Sequence, residues 1–175
     1  IERGGRRLAR LLDDMRLFGE LETGDIAVGR QPARALLEQC LARLHDEIGQ
    51  RQAQVDLHAD GDLLVDGPAF ELAVRCTIEH VLRSSPARPV RLSVRLTRDG
   101  ATAFIDVVDH GVATPLPAIA GLQRTERTGD AVPETPLSLS VARHIAHLHG
   151  GELQDDTAPE GWRRQRLVLP HGSPA

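Results

Sequence analysis

Three histidines crowd one short stretch, His144, His147 and His149, and three arginines crowd another, Arg163, Arg164 and Arg166. Imidazoles this close together invite a metal reading, because histidine is the commonest metal ligand. The spacing, however, is that of one helix face followed by a capping residue, so a structural role is expected for the set. The arginines are expected to be solvated strand residues rather than an anion site. Cys40 and Cys76 have neither C-x-x-C spacing nor a nearby histidine pair, which points away from a zinc site and a redox motif. Two further groups hold polar side chains inside otherwise apolar runs: Glu79-His80-Val81-Leu82-Arg83 and Asp109-His110-Gly111. On residue type alone, Asp109 can cap a strand end by accepting from nearby backbone N–H groups, and His80 is a surface or core substitution.

These residues sit in a chain of 175 residues with 21 basic and 25 acidic side chains, a net charge of −4 and 41% apolar content. That length suits one ordinary domain plus an appended helix, and the charge balance is that of a folded globular chain. A mildly acidic balance argues against nucleic acid as a partner. Apolar runs fall far short of the roughly 18 residues a membrane-crossing helix needs, and no signal-peptide pattern is present. The expected setting is reducing and cytoplasmic. Every one of the 21 basic residues is Arg, which reads as a coding bias, and the chain contains no Asn. Beginning at Ile1, it reads as a fragment of a longer protein.

The elements that would carry the polar groups follow from periodicity. Leu8, Leu11, Leu12, Met15, Phe18 and Leu21 form an apolar stripe at helical steps, with Arg3, Arg6, Arg7 and Arg10 on other faces. A helix this apolar on one side must pack against something. Gly24, Gly29 and Pro32 mark a hinge over about 25–32. A second helix is expected from about Ala33 to Gly49. Next comes a short strand pair, Val55–Leu57 and Leu63–Val65, turned at Asp60-Gly61. A third helix is expected from Pro68 to Arg83, opened by Pro68. A hairpin follows, with Val90 to Leu96 and Ala103 to Val107 turned at Asp99-Gly100. Residues 110–135 read as a long loop. A fourth helix, Leu137–His149, stops at Gly150-Gly151, and two strands close the chain. Helices mixed with mostly antiparallel strands predict an α+β two-layer sandwich, one sheet covered by helices on one face.

In this order the segments resemble the ATP-binding catalytic domain of bacterial sensor histidine kinases, of the Bergerat-type superfamily shared with gyrase. The residues that carry the likeness are Val65-Asp66 with Phe70, Ile105-Asp106-Val107-Val108-Asp109-His110-Gly111, the run Ser140 to Gly151 ending His-Gly-Gly, and Leu167-Val168-Leu169-Pro170. The resemblance implies three divisions. Residues 1–24 would be the second helix of a dimerisation and phosphotransfer hairpin, 25–32 a hinge, and 33–171 the ATPase-like domain. It implies a homodimer interface through Leu8, Leu11, Leu12, Met15 and Phe18, and a response regulator or another histidine kinase as partner. The implied ligand is ATP or ADP with Mg²⁺. Asp109 would accept from the adenine amino group, Gly111 would allow close backbone approach, His80 stands at the metal-binding Asn position, and Arg83 matches a basic position near the phosphates.

Against that pattern the chain departs in specific places. Ala113 replaces a glycine after Gly111, and His80 offers imidazole where Mg²⁺ wants oxygen. Glu134-Thr135-Pro136-Leu137-Ser138-Leu139 stands where a glycine-rich phosphate segment is expected, and Pro136 lacks an N–H donor. Glu160-Gly161-Trp162 keeps one glycine of the last box. The expectation is a retained fold with an impaired nucleotide site, more in keeping with no bound cofactor than with Mg-ATP, in a regulatory or scaffold module. The alternatives are a divergent but active kinase domain, or the vestigial ATPase-like part of a histidine phosphotransfer protein. The stretch before His45 contains no histidine, so no phosphoacceptor lies on the first segment.

Overall fold

The computed structural model describes residues 12, 15–16, 18–21, 26–113 and 137–171. Among the described residues the domain's elements run in the order β1 (Gly29–Pro32), α1 (Ala33–Arg43), α2 (His45–Gln50), β2 (Gln54–His58), β3 (Asp62–Val65), α3 (Gly67–Ser84), β4 (Arg91–Asp99), β5 (Thr102–Ala113), α4 (Leu137–Leu148), β6 (Glu152–Thr157) and β7 (Trp162–Pro170). Five strands form one sheet in the order β2-β4-β5-β7-β6, in which only β2 and β4 run parallel. The predicted α+β sandwich is the fold observed.

Strand alternation sorts the sheet into two faces. Leu92, Val94, Ala103, Ile105, Val107, Leu167 and Leu169 point inward, into one core with Val74 and Ile78 of α3 and Ala142 and Ile145 of α4. Helix α3 is apolar almost all round, which is why it lies beneath α1 and α4 rather than at the surface. On α1, burial pushes the Cys40 thiol up to about 12, which keeps it as a thiol. Neither Cys40 nor Cys76 is in a disulfide, and both are buried.

Three sequence expectations are corrected here. The segments around Asp60-Gly61 do not form a hairpin with each other. Strand β2 joins the main sheet beside β4, whereas β3 pairs with β1 in a separate two-stranded sheet, Gly29 opposite Val65 and Pro32 opposite Asp62. The turn is real, but Arg98 grips the carbonyls of Asp60 and Asp62, both at 2.8 Å, and sends the two strands to different partners. Consequently the last residues of the expected hinge, Gly29–Pro32, are strand. The single helix expected from Ala33 to Gly49 is two, broken at Leu44.

Asp66 joins four segments. Its Oδ1 accepts from the Ala69 N–H at 3.1 Å and caps α3, and its Oδ2 accepts from the Ala27 N–H at 2.8 Å. Its own N–H donates to His149 Nε2 at 3.0 Å, while His149 Nδ1–H donates to the Ile145 carbonyl at 2.8 Å. Both imidazole nitrogens are thereby used, which fixes the neutral tautomer and clips the end of α4 to the start of α3. Two residues on, a Cβ on Gly151 would run into the Val168 carbonyl oxygen, so only glycine passes β7 there.

Asp66→Ala removes the cap and the tie to Ala27 but leaves the bond to His149. The expected loss is about 1–2 kcal/mol, read as a lower urea midpoint at unchanged slope.

Candidate functional site

Two of the predicted site residues, Asp109 and Gly111, lie where the end of α3 meets the inner face of β5. Asp109 is 3% exposed and lies directly between Leu92 of β4 and Arg163 of β7 in the sheet register. Its Oδ1 accepts from the Gly111 N–H at 2.9 Å, and it forms no ion pair among the described residues. This is the backbone-binding role that its residue type allowed. At Gly111 a Cβ would overlap that of Ala87 and lie 3.2 Å from Asp109 Oδ1, so the close approach of β5 to the segment after α3 requires glycine.

Across from Asp109 stands Ser85, also 3% exposed, whose hydroxyl has no hydrogen-bond partner. Its backbone is held by Arg51, which donates through Nε to the Leu82 carbonyl at 2.6 Å and through Nη2 to the carbonyls of Arg83 and Ser85. Those are among the carbonyls that a helix C-terminus leaves unmatched, and a guanidinium there is favourable. Arg51 therefore sets where Ser85 stands.

His80 and Ser84 lie one turn apart on the α3 face toward β7. His80 Nε2 is buried without a partner. Burial holds the imidazole below its ordinary value, the Arg163 charge adds to that, and Asp155 opposes it. Arg163 reaches from β7 to within 3.5 Å of Ser84 Oγ and 3.4 Å of Asp155 Oδ2. Arg83 is exposed and pairs with Glu79 one turn back, away from Asp109. Asp109 and Gly111 are thus in contact, His80 shares a face with Arg163, and Arg83 is turned to Glu79.

Residue-type expectations fare unevenly elsewhere. Arg164 and Arg166 are not free solvated side chains. On the helix-free face of the sheet, Arg166 makes two bonds to Asp106 at 2.6 and 2.7 Å, and Arg164 makes two to Asp156 at 2.7 Å. These carboxylates raise both guanidinium values further. The histidine set divides likewise: His149 is the clip, and His144 meets the Phe18 ring edge-on at 5.3 Å between centroids. No group of three or more metal-binding side chains occurs among the described residues.

Phe18 and the buried Leu21 bind the first segment to the domain, whereas Leu12 (59% exposed) and Met15 (68% exposed) face outward. Leu8 and Leu11 lie outside the described residues. Sequence reasoning missed Ser85, Arg51 and the inward Arg163. The last was legible: Leu167 and Leu169 face the core, so period two turns residues 165 and 163 the same way.

No protein-family model matches the chain. The sensor protein KdpD of Escherichia coli (strain K12) is 28% identical over 113 residues, or 61% of this chain, and the chain spans 12% of that protein's length. Among solved structures, the Acinetobacter baumannii histidine kinase AdeS superposes over 96% of this chain and 80% of its own, with TM-score 0.67 and 18% identity. The mycobacterial sensor histidine kinase MprB matches over 82% and 97%, with TM-score 0.61 and 21% identity. The cytoplasmic segment of histidine kinase QseC matches over 94% and 92%, with TM-score 0.57 and 21% identity. At such identities the likeness is one of fold. No helix among the described residues is long and apolar enough to cross a membrane.

Because folding lowers the His80 value below its ordinary 6.5, the unfolded chain takes up this proton first. Stability from this group is complete above pH 6.5 and falls as the pH drops below it, toward the folded value. Denaturant midpoints measured from pH 8 to pH 5 are expected to decline on the acid side, with a shallower decline in His80→Asn.

Proposed function

Since the chain has the fold of the ATP-binding domain of sensor histidine kinases, we propose that it is the catalytic-type region of such a kinase. On this reading its site has lost Mg²⁺-dependent phosphoryl transfer, and it works as a regulatory signalling module on the cytoplasmic side. The observation that carries the reading is the donor set at the metal position. Mg²⁺ takes a near-octahedral shell of oxygens, whereas His80 presents an imidazole beside the Arg163 guanidinium. A cation there repels a second cation, and a nitrogen ligand is a poor exchange for an amide oxygen. The residues present do not fit the ion. Phosphoryl transfer depends on metal charge neutralisation and close positioning, and neither this site nor the sequence Glu134 to Leu139 supplies their usual means.

Residues 1–24, in the same reading, are the second helix of a dimerisation hairpin, and the domain begins at 33. The outward Leu12 and Met15 support a homodimer formed through this helix, while Phe18 belongs to the contact with the domain. A response regulator or a second histidine kinase is the partner class that such a module serves.

A second reading, a divergent active kinase, draws on Asp109, which is buried and forms no ion pair among the described residues, and so keeps an acceptor for a base. Calorimetry and thermal unfolding with millimolar ATP and excess Mg²⁺ decide between the two. A ligand that does not bind the folded state cannot raise its melting temperature, so no heat and no shift are expected. Micromolar Mg-ATP binding that Asp109→Ala removes would establish the active kinase instead.

The dimer has its own check. Sedimentation of the chain carrying Leu12→Glu and Met15→Glu is expected to show a monomer at concentrations where the parent chain is dimeric. Dimers that persist would place the interface elsewhere.

A further inference from the structure

We propose that the sheet face which no described helix covers is a docking surface for a second copy of this chain, turned about a two-fold axis that runs along the strands between β5 and β7.

The outward side chains of this face carry charge in a fixed order. Across the β5–β7 pair Asp106 stands beside Arg166, and Phe104 beside Val168. Arg166 is held on Asp106 by two bonds and Arg164 on Asp156 by two more, so the middle of the face is neutral and its arginines are already fixed. Ser93 Oγ lies 2.8 Å from His110 Nε2, and the His110 ring meets that of Trp162 edge-on. Side chains held in this way lose little freedom on docking. Among them lies a cleft of about 340 Å³, with Arg95 of β4 on one wall and Glu160 of the β6–β7 turn on the other. Both are exposed, and neither forms an ion pair among the described residues. Beside the basic wall, Arg91 on β4 and Asp56 on β2 add one charge of each sign.

That order selects the occupant. A basic wall, a neutral centre and an acidic wall repel, at one side, any partner of a single sign. A complementary surface carries the same order reversed. A two-fold copy meets this condition, because residue i faces residue j while j faces i. An axis between β5 and β7 sets β4 across from β6 of the copy, and β5 across from its β7. Arg95 then faces the turn that bears the partner's Glu160, and the contact occurs twice. Asp106 faces the partner's Arg166, so the two ion pairs stack with alternating sign, and Phe104 faces the partner's Val168. Sheets packed face to face lie about 10 Å apart, a gap that arginine and glutamate side chains span. A contact this polar is weaker than one made by an apolar helix stripe. It joins the helix-mediated dimers into larger assemblies at higher concentration, and its argument does not depend on that helix.

The test is sedimentation velocity of the whole chain carrying Leu12→Glu and Met15→Glu, so that the helix contact does not contribute. Dimers are expected at concentrations about tenfold or more above those at which the parent chain is dimeric, and are expected to weaken about tenfold in ~0.5 M salt as the charges are screened. Arg95→Glu and Glu160→Arg, each added singly, are expected to abolish these dimers, because both symmetric contacts then join like charges. Mixing the two variants is expected to restore association, as is the double exchange in one chain, because every contact then joins opposite charges. Thermal unfolding is expected to be unchanged in all three, which separates lost docking from lost folding. A chain that stays monomeric up to millimolar concentration would overturn the inference and leave this face to an unlike partner. Association that survives the single reversals, or that mixing fails to restore, would overturn it as well. Neither result bears on the preceding reading, whose own dimer test is made at the dilute end.

Discussion

Helix α3 buries most of its length, and the unmatched backbone groups at its two ends are satisfied by side chains from elsewhere. Asp66 closes the N-terminus and Arg51 the C-terminus. Each closure also fixes another segment. Through Asp66 the chain ahead of β1 and the end of α4 are tied to the start of α3, and through Arg51 the peptide carrying Ser85 is set against β5. The candidate site lies at the Arg51 end. Its geometry follows from how the carbonyls at the end of this helix are matched by Arg51.

The two faces of the sheet treat charge in opposite ways. On the helix-free face Arg164 and Arg166 are neutralised by Asp156 and Asp106 in paired, planar contacts, and Arg166 also lies over the Phe104 ring at 4.8 Å. That face is closed chemically even though no described helix covers it. On the inner face the corresponding groups are left open: Asp109 in no ion pair among the described residues, Ser85 and Gln165 without hydrogen bonds, His80 without a partner for Nε2. A folded domain tolerates such groups mainly where function asks for them. One face therefore carries structure, and one end of the other carries the site.

On the proposed reading, change at the metal and phosphate positions alongside retention of the fold has a physical explanation. Leucines such as Leu167 and Leu169 and the glycine at Gly151 are held by packing, because any change there opens a cavity or forces a clash. A side chain such as His80, at the half-buried edge of α3, meets only a local penalty when its chemistry changes. Sequence can drift in the second kind of position without disturbing the first.

Much of this was legible in the order of residues. The period of 3.6 placed α3 and α4, the alternation with Asp99-Gly100 placed the β4–β5 hairpin, and the resemblance to kinase ATP-binding domains singled out Asp109-His110-Gly111. These are local signals, carried by neighbours in sequence. What the sequence could not disclose were the non-local pairings. Strand β1 has no apolar alternation, so nothing in Gly29–Pro32 announced that it would take β3 away from β2. Arg51 gave no sign of reaching 31 residues ahead to Leu82, and Ser85 resembled any polar residue after a helix. Local periodicity determined the elements and the residue types in them. Only the tertiary structure decided which polar groups were matched and which were left waiting, because a hydrogen-bond partner is set by proximity in space and not along the chain.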